Sequence, residues 1–253
     1  MRLFDAHSHL EEIGDLVGAV GRASKAGVFA IVAVGSNLDS CKRVLEVSGD
    51  YENTTVYPAL GMHPWGLKAE EVGRTLAFIE EHMDRAVGVG EIGLDYWTKA
   101  ARKNPGHTNL QRDAFSRLLN LGKRFKKPVI IHCRGAWEDC PRMVMDMGVE
   151  KAVFHWFSGP LDVLDQLLDR GYLISATPAA AYSEKHQAAI ARAPLERLLL
   201  ETDSPVTYQG ETSEPAHLAK TLEAVARIKG VEMEEVAEIT TMNALKFFGL
   251  GEK

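Results

Sequence analysis

Short apolar segments recur along the whole chain, and each is followed by a polar turn and a stretch with helical spacing of apolar residues. Segments that are apolar on both faces are typical of strands buried in a parallel sheet. The predicted strands are Leu3–Ala6, Phe29–Val34, Thr55–Leu60, Ala86–Val89, Val129–Ile131, Ala152–Phe154, Tyr172–Ser175 and Leu198–Glu201. Predicted helices between them include Leu16–Lys25, Glu70–Met83, Leu110–Phe125, Pro160–Asp169 and Glu184–Arg192.

This alternation predicts an α/β protein with a single TIM (β/α)8 barrel, although an open doubly wound sheet has the same local pattern. The length of 253 residues is typical of one such barrel. From about Glu214 to Leu250 the pattern predicts two or three extra C-terminal helices, with Asn243 as an N-cap and Phe247 and Phe248 packed inward. Because no linker or repeat interrupts the chain, we expect residues 1–253 to form one domain.

The composition limits the compartment and the kinds of partner. Cys41, Cys133 and Cys140 form no CxxC pair, which argues against a disulfide framework and against a thiolate zinc cluster. The N-terminus lacks the apolar run of a signal peptide, and no segment is apolar for the length of a membrane. We therefore expect a cytoplasmic protein without an obligate protein partner. Because the net charge is -6, a nucleic-acid substrate would have to be held locally.

Six side chains that can bind metal lie at or just after the predicted strand ends: His7, His9, Glu91, His132, His155 and Asp203. His7 and His9 follow the first strand, and residues two apart in an extended segment point to the same side. Each residue alone has a simpler explanation, as a solvated turn residue, a hydrogen-bonded core histidine, a helix cap or an ion-pair partner. The C-terminal strand ends of a barrel converge on one face, where active sites lie. The coincidence of all six therefore predicts a metal site.

Six ligands exceed the three protein ligands that a single catalytic zinc typically takes. We therefore predict two divalent ions bridged by Glu91, an arrangement typical of hydrolases. The other ligands divide into His7, His9 and Asp203 on one ion and His132 and His155 on the other. Asp203 is either a ligand, a general base for the attacking water, or both. Imidazoles favour Zn²⁺, Mn²⁺ or Fe²⁺ and Mg²⁺ prefers oxygen, so the identity of the metal stays open.

The segment after Glu91 contains Tyr96 and Trp97 and then the cations Lys99, Arg102 and Lys103. Aromatic rings interleaved with cations suit single-stranded nucleic acid, because bases stack on the rings and phosphates pair with the charges. Tyr96 and Trp97 are therefore candidate substrate-binding residues. The alternative is an ordinary solvated loop with Trp97 packed beneath it.

Several motifs together resemble the TatD family of metal-dependent hydrolases, and with their spacing they span nearly the whole chain. They are FDAHSHL, LGMHPW, VGVGEIGLDY, QRDAF, KPVIIHCRGA, FHWFSG and ETDSP. The resemblance implies a two-metal phosphodiesterase, commonly described as a deoxyribonuclease that trims single-stranded or frayed DNA from the 3′ end.

The resemblance implies the same six ligands and adds His63 and Arg134 as phosphate-facing residues. Arg134 has the planar donor group that binds phosphate in a bidentate manner, although a salt bridge on the barrel rim is the alternative. His63 either protonates a leaving oxygen or donates a hydrogen bond to the substrate. With Asp203 and Glu91, His63 is thus a candidate catalytic residue.

Two other functions fit a metal centre of this kind. A metal-dependent ester, lactone or amide hydrolase of a small molecule is the main alternative, because two metals polarise carbonyls as readily as phosphoryls. Many barrel hydrolases of that class carry a carboxylated lysine on the fourth strand, where this chain has Glu91. That difference favours phosphodiesters. The complete set of ligands argues against a non-catalytic scaffold.

Overall fold

The computed structural model describes residues 1–251 of the chain. The strands are β1 (Leu3–Ser8), β2 (Val28–Val34), β3 (Gly49–Tyr51), β4 (Thr54–Met62), β5 (Gly88–Asp95), β6 (Val129–Arg134), β7 (Ala152–Phe154), β8 (Leu173–Ala176), β9 (Leu198–Leu200), β10 (Thr207–Tyr208) and β11 (Glu211–Thr212). The helices are α1 (Leu16–Lys25), α2 (Leu38–Val47), α3 (Ala69–Glu81), α4 (Lys99–Lys103), α5 (Pro105–Arg124), α6 (Asp139–Asp146), α7 (Leu161–Asp169), α8 (Glu184–Arg192), α9 (Leu218–Lys229) and α10 (Met233–Phe248). None of these helices is both long and apolar enough to cross a membrane.

Eight parallel strands form a nearly closed barrel in the order β1-β2-β4-β5-β6-β7-β8-β9, so the predicted fold class is confirmed. Strand β3 pairs antiparallel with β4, and β10 pairs with β11 in a separate hairpin. The apolar pattern did not predict these short strands, because none of them is an apolar run. The domain prediction for residues 1–253 extends two residues beyond the described part of the chain.

Hydrogen bonds beyond the end of β9 join the last strand to the first. The Asp203 amide donates to the His7 carbonyl at 3.0 Å, and the His9 amide donates to the Ser204 carbonyl at 2.7 Å. The Asp5 carboxylate accepts from the Thr202 amide at 3.0 Å and from the Thr202 hydroxyl at 2.6 Å. Burial raises the pKa of Asp5 to about 8. These contacts bring His7, His9 and Asp203 to one place although the chain separates them widely.

Strand β5 runs through Glu91 to Asp95, so the prediction that Glu91 ends its strand is wrong. The ladder to β6 continues beyond Glu91, with Gly93 opposite His132 and Asp95 opposite Arg134. The apolar run ends before the hydrogen-bonded strand does, because the polar residues at this end point into the site. On the other side of Glu91, a side chain on Gly61 would lie 2.3–2.5 Å from the backbone of Gly90 and Glu91. Glycine in the LGMH motif is therefore a steric requirement.

Helix α10 covers the opposite end of the barrel. Phe247 and Phe248 are buried as predicted, and the Phe248 ring stacks on Phe4 at the start of β1 with 5.8 Å between ring centroids. The prediction that Asn243 is an N-cap is wrong, because the helix begins ten positions earlier in the chain, at Met233. The Asn243 side chain instead donates to the carbonyls of Leu195 at 2.7 Å and Leu198 at 2.9 Å. These bonds satisfy backbone groups where the chain enters β9.

Candidate metal centre

A cavity of about 450 Å³ opens at the C-terminal ends of the barrel strands. Five of the six predicted ligands line it, together with His63 and Arg134: His9, Glu91, His132, His155 and Asp203. The sixth, His7, is fully buried beside them. All six predicted ligands therefore come together, and they come from β1, β5 and β6 and from the residues that follow β1, β7 and β9.

Glu91 occupies the centre of this group. Its Oε2 lies 3.5 Å from His7 Nε2 and 3.4 Å from His9 Nε2. Its Oε1 lies 2.9 Å from His132 Nδ1 and 2.8 Å from His155 Nε2. Burial alone would raise the pKa of Glu91, but the surrounding imidazoles outweigh it and hold the pKa well below the usual range. The Nε2 atom of His63 also lies 3.4 Å from Oε1. The two oxygens of a charged carboxylate thus face different sets of imidazoles, which is the geometry that a bridging ligand needs.

Asp203 completes the group around Glu91 Oε2. Its Oδ1 lies 3.5 Å from His7 Nε2 and 3.6 Å from His9 Nε2. Burial raises the pKa of Asp203, although His7 and other histidines act in the opposite direction. The residue has a positive φ of 48°, a conformation that non-glycine residues adopt rarely and that is common at functional sites.

The spacing of these atoms fits a divalent ion. Two ligand atoms about 2.0–2.1 Å from one ion, at the tetrahedral angle, lie about 3.3 Å apart. Asp203 Oδ1 lies 3.5 Å from His7 Nε2 and 3.6 Å from His9 Nε2. These separations are longer than normal hydrogen bonds but close to the separation of two ligand atoms on one ion. Both ring nitrogens of buried His7 lack a hydrogen-bond partner within residues 1–251. An unpaired buried polar group costs about 1–3 kcal/mol, and a metal bond to His7 would remove that cost.

Asp95 is a buried residue of the site that the sequence did not single out. Its Oδ2 accepts hydrogen bonds from His132 Nε2 at 2.9 Å, Arg134 Nε at 2.7 Å and Trp65 Nε1 at 2.6 Å. Burial would raise the pKa of Asp95, but these donors outweigh it and lower the pKa. The bond from His132 Nε2 leaves the Nδ1 lone pair directed at the Glu91 side, where a metal would accept it. The only sequence signal for Asp95 was that it is an acidic residue after Glu91 in the same segment of the chain.

Glu201 orients His155 in a similar way. Its Oε1 lies 3.3 Å from His155 Nδ1 and accepts from the Trp156 amide at 3.0 Å. Burial would raise the pKa of Glu201, but His155 outweighs it and lowers the pKa. The His155 Nε2 atom is then free to face Glu91. Glu201 lies in the ETDSP motif, but the sequence pattern does not indicate that its carboxylate orients a histidine.

His63 lies on the cavity wall, with its Nε2 atom 3.4 Å from Glu91 Oε1 and 3.3 Å from His132 Nδ1. The Trp65 amide donates to His63 Nδ1 at 3.0 Å, so in the neutral ring the proton sits on Nε2. Burial lowers the pKa of His63 to about 4, although Glu91 acts in the opposite direction. A neutral ring with a fixed Nε2 proton suits hydrogen bonding to a substrate oxygen better than proton donation to a leaving group.

Arg134 faces the same cavity. Its Nε atom is held by Asp95, and its two terminal nitrogens have no hydrogen-bond partner in the part of the chain that the structure describes. The guanidinium also lies over the Trp65 ring, 5.0 Å from its centroid. These contacts fix the orientation of Arg134 and leave the terminal nitrogens for a ligand.

Tyr96 and Trp97 are not brought into the cavity, although the sequence made them candidate substrate-binding residues. The Tyr96 hydroxyl donates to Asp139 Oδ2 at 2.7 Å and accepts from Arg112 Nε at 2.8 Å. Trp97 is 50% exposed, and its ring packs over Gly135. The aromatic side chains that line the cavity are Trp65, Trp156 and Tyr182, none of which the sequence assigned to substrate.

Replacing Asp95 by asparagine is expected to weaken metal binding about 10–100-fold, the usual effect of losing a carboxylate behind a metal-binding histidine. The amide accepts less strongly from His132 and no longer selects its tautomer. Titration calorimetry with Zn²⁺ or Mn²⁺ measures the change. Asp139→Asn is the control, because its carboxylate also accepts from an aromatic side chain and an arginine but lies outside the cavity. Equal affinities in Asp95→Asn and wild type would contradict this role.

Comparison with known proteins gives consistent results. A family model described as TatD related DNase matches residues 4–249. Human deoxyribonuclease TATDN3 is 34% identical over 260 residues, which cover 97% of this chain and 94% of that protein. An uncharacterized metal-dependent hydrolase of Methanocaldococcus jannaschii is 30% identical over 98% of this chain and 97% of its own length. The crystal structure of YJJV, a TatD homologue from Escherichia coli K12, superposes with a TM-score of 0.87 at 26% identity and covers 99% of both chains.

Proposed function

Because the chain belongs to the TatD-related DNase family and is a metal-dependent hydrolase of phosphoester bonds, we propose that it uses two divalent ions to cleave phosphodiester bonds at DNA ends. The observation that carries the two-ion proposal is the position of Glu91, whose two oxygens face two different sets of histidines. The proposed ligands are the six residues predicted from the sequence. Zn²⁺, Mn²⁺ and Mg²⁺ are the candidate metals.

When bound, two divalent ions activate water at neutral pH and stabilise the charge that develops on a phosphoryl group. The protein residues then have separate tasks. The Asp203 carboxylate, which lies beside His7 and His9 and lines the cavity, would take the proton of the attacking water. Asp95 and Glu201 hold His132 and His155 in the tautomers that direct a lone pair at Glu91.

The scissile phosphate is held by two donors on the cavity wall. His63 offers its Nε2 proton, and Arg134 offers the terminal nitrogens that Asp95 leaves free. A planar guanidinium matches the geometry of two phosphate oxygens, which makes Arg134 the stronger determinant of substrate charge.

The test is degradation of a 5′-labelled single-stranded oligonucleotide with Mg²⁺ or Mn²⁺. We expect products that shorten stepwise from the 3′ end, and a strand labelled at the 3′ end should release its label first. A duplex with a frayed 3′ end should be trimmed faster than one with blunt ends. If no nucleotide is released while esters, lactones or amides are hydrolysed, the protein is a small-molecule hydrolase instead.

We also propose a cytoplasmic location, since Cys41, Cys133 and Cys140 are all free thiols.

A further inference from the structure

Two aromatic walls face each other across the metal centre. Trp65 follows β4, whereas Trp156 follows β7 and Tyr182 follows β8. In the order of the barrel strands, β4 is third and β7 and β8 are sixth and seventh of eight. All three side chains line the cavity that contains Glu91. The walls therefore stand on opposite sides of the candidate metal site.

The Trp65 wall is exposed but held in place. The side chain is 52% exposed, although large aromatic side chains are usually buried. Its Nε1 donates to Asp95 at 2.6 Å, and the Arg134 guanidinium lies 5.0 Å from the ring centroid. The ring is exposed, and a buried carboxylate already holds its orientation. A ligand that stacks on this flat apolar surface therefore does not have to restrict the Trp65 side chain further.

The opposite wall is held by its backbone. The Trp156 amide donates to Glu201 at 3.0 Å and to the Ser175 hydroxyl at 3.0 Å. Trp156 has a positive φ of 43°, which is unusual for a bulky residue. This backbone conformation sets the direction in which the ring leaves the end of β7. Its ring centroid lies 5.4 Å from that of Tyr208, and Tyr182 at the rim is 42% exposed.

The charge in the cavity suits a single phosphate. Arg134 is the one arginine or lysine among the described residues that line it. A groove that tracks several phosphates needs a row of cations, whereas base stacking on aromatic rings needs none. Arg134 and the proposed ions would bind the scissile phosphate, and the aromatic walls are the groups of this cavity that can bind the bases beside it.

We infer that Trp65 and Trp156 are stacking platforms for the two bases on either side of the scissile phosphate, so that the substrate is a single strand with two splayed nucleosides. The inference rests on the proposed function and specifies its substrate. Consecutive bases of a duplex lie about 3.4 Å apart along the axis and are stacked on each other. A base that is paired and stacked on both sides offers no free face to an aromatic wall, so a duplex must open before it is cleaved.

The test uses single-stranded oligonucleotides with 2-aminopurine at one position and a 3′-terminal phosphorothioate linkage that slows cleavage. Stacking quenches the fluorescence of 2-aminopurine, so binding to wild type should quench it on both sides of the bound linkage. Trp65→Leu should restore fluorescence on one side and Trp156→Leu on the other. Each change should weaken strand binding roughly tenfold and raise KM, since base stacking contributes to binding. Because Trp65→Leu also removes the donor to Asp95, its kcat is compared with that of Trp65→Phe, which loses the same donor.

Trp65→Phe keeps an aromatic face and should retain most of the quenching. Trp97→Leu is the matched comparison, because Trp97 is also about half-exposed but lies outside the cavity. It should retain quenching on both sides. Thermal unfolding midpoints near that of wild type identify variants that remain folded, and for an unfolded leucine variant the phenylalanine substitution provides the comparison.

The inference is overturned if both leucine variants keep the quenching, if Trp97→Leu removes it, or if blunt duplex is cleaved as fast as single strand. Cleavage assays with unmodified strands distinguish failure of this inference from failure of the proposed function. If wild type releases nucleotides from them, the nuclease stands whatever the aromatic variants do. If wild type neither cleaves nor binds any strand, both proposals fail.

Discussion

Glu91→Gln is expected to lower kcat/KM for DNA cleavage at least about a thousandfold, because losing several kcal/mol of transition-state stabilisation corresponds to that factor. The carboxylate is the contact shared by both groups of histidines, with Oε2 facing His7 and His9 and Oε1 facing His132 and His155. A neutral amide has only one oxygen and does not bridge. Bound metal, measured by mass spectrometry of the purified protein, should fall below two ions per chain.

Glu214→Gln is the control for that change. Its carboxylate is held by Arg22 Nε at 2.9–3.0 Å and does not line the cavity, so activity and metal content should stay at the wild-type level. A Glu91→Gln protein that kept two ions and its activity would disprove the bridging role.

Asp203→Asn is expected to reduce kcat about 10²–10⁴-fold even at saturating metal, the range for loss of a general base. Asparagine has nearly the same shape and can still direct an oxygen at His7 and His9, but it does not take up a proton. The measurement is kcat at increasing Mn²⁺ concentration until the rate is constant. KM for the strand should change little, because Asp203 is assigned to proton transfer and not to base stacking.

Recovery of wild-type kcat with excess Mn²⁺ would show that Asp203 is only a ligand. Asp165→Asn, which loses a carboxylate bound to Arg192 on the surface, should behave as wild type throughout. The metal content of Glu91→Gln reports on assembly of the metal centre. The kcat of Asp203→Asn at saturating Mn²⁺ reports on proton transfer within that centre.

The fold and the positions of the six ligands were predictable because both depend on local sequence. Apolar runs separated by helical spacing predict a parallel barrel, and the C-terminal ends of its strands converge by geometry. Glu91 was found although the strand continues past it to Asp95, since the prediction needed only its place near the strand end. Asn243 was misassigned because its partners, Leu195 and Leu198, are brought to it only by packing.

Side-chain direction was the part that the sequence left open. Tyr96 and Trp97 follow β5 at the predicted face, yet Tyr96 binds Asp139 and Trp97 covers Gly135. Trp65 lies in the LGMHPW motif and has no periodic signal that distinguishes a cavity wall from a packed loop. Its exposure and its bond to Asp95 depend on how the segments after β4 and β5 meet.

The sequence by itself determined the barrel fold, the six candidate metal ligands and the resemblance to the TatD family, because each is recorded in short motifs and their spacing. Only the tertiary structure decided which atoms face each other. The three donors on Asp95 and the two faces of Glu91 depend on contacts between residues far apart in the chain. Such contacts are set by strand register and barrel closure, which no local pattern encodes.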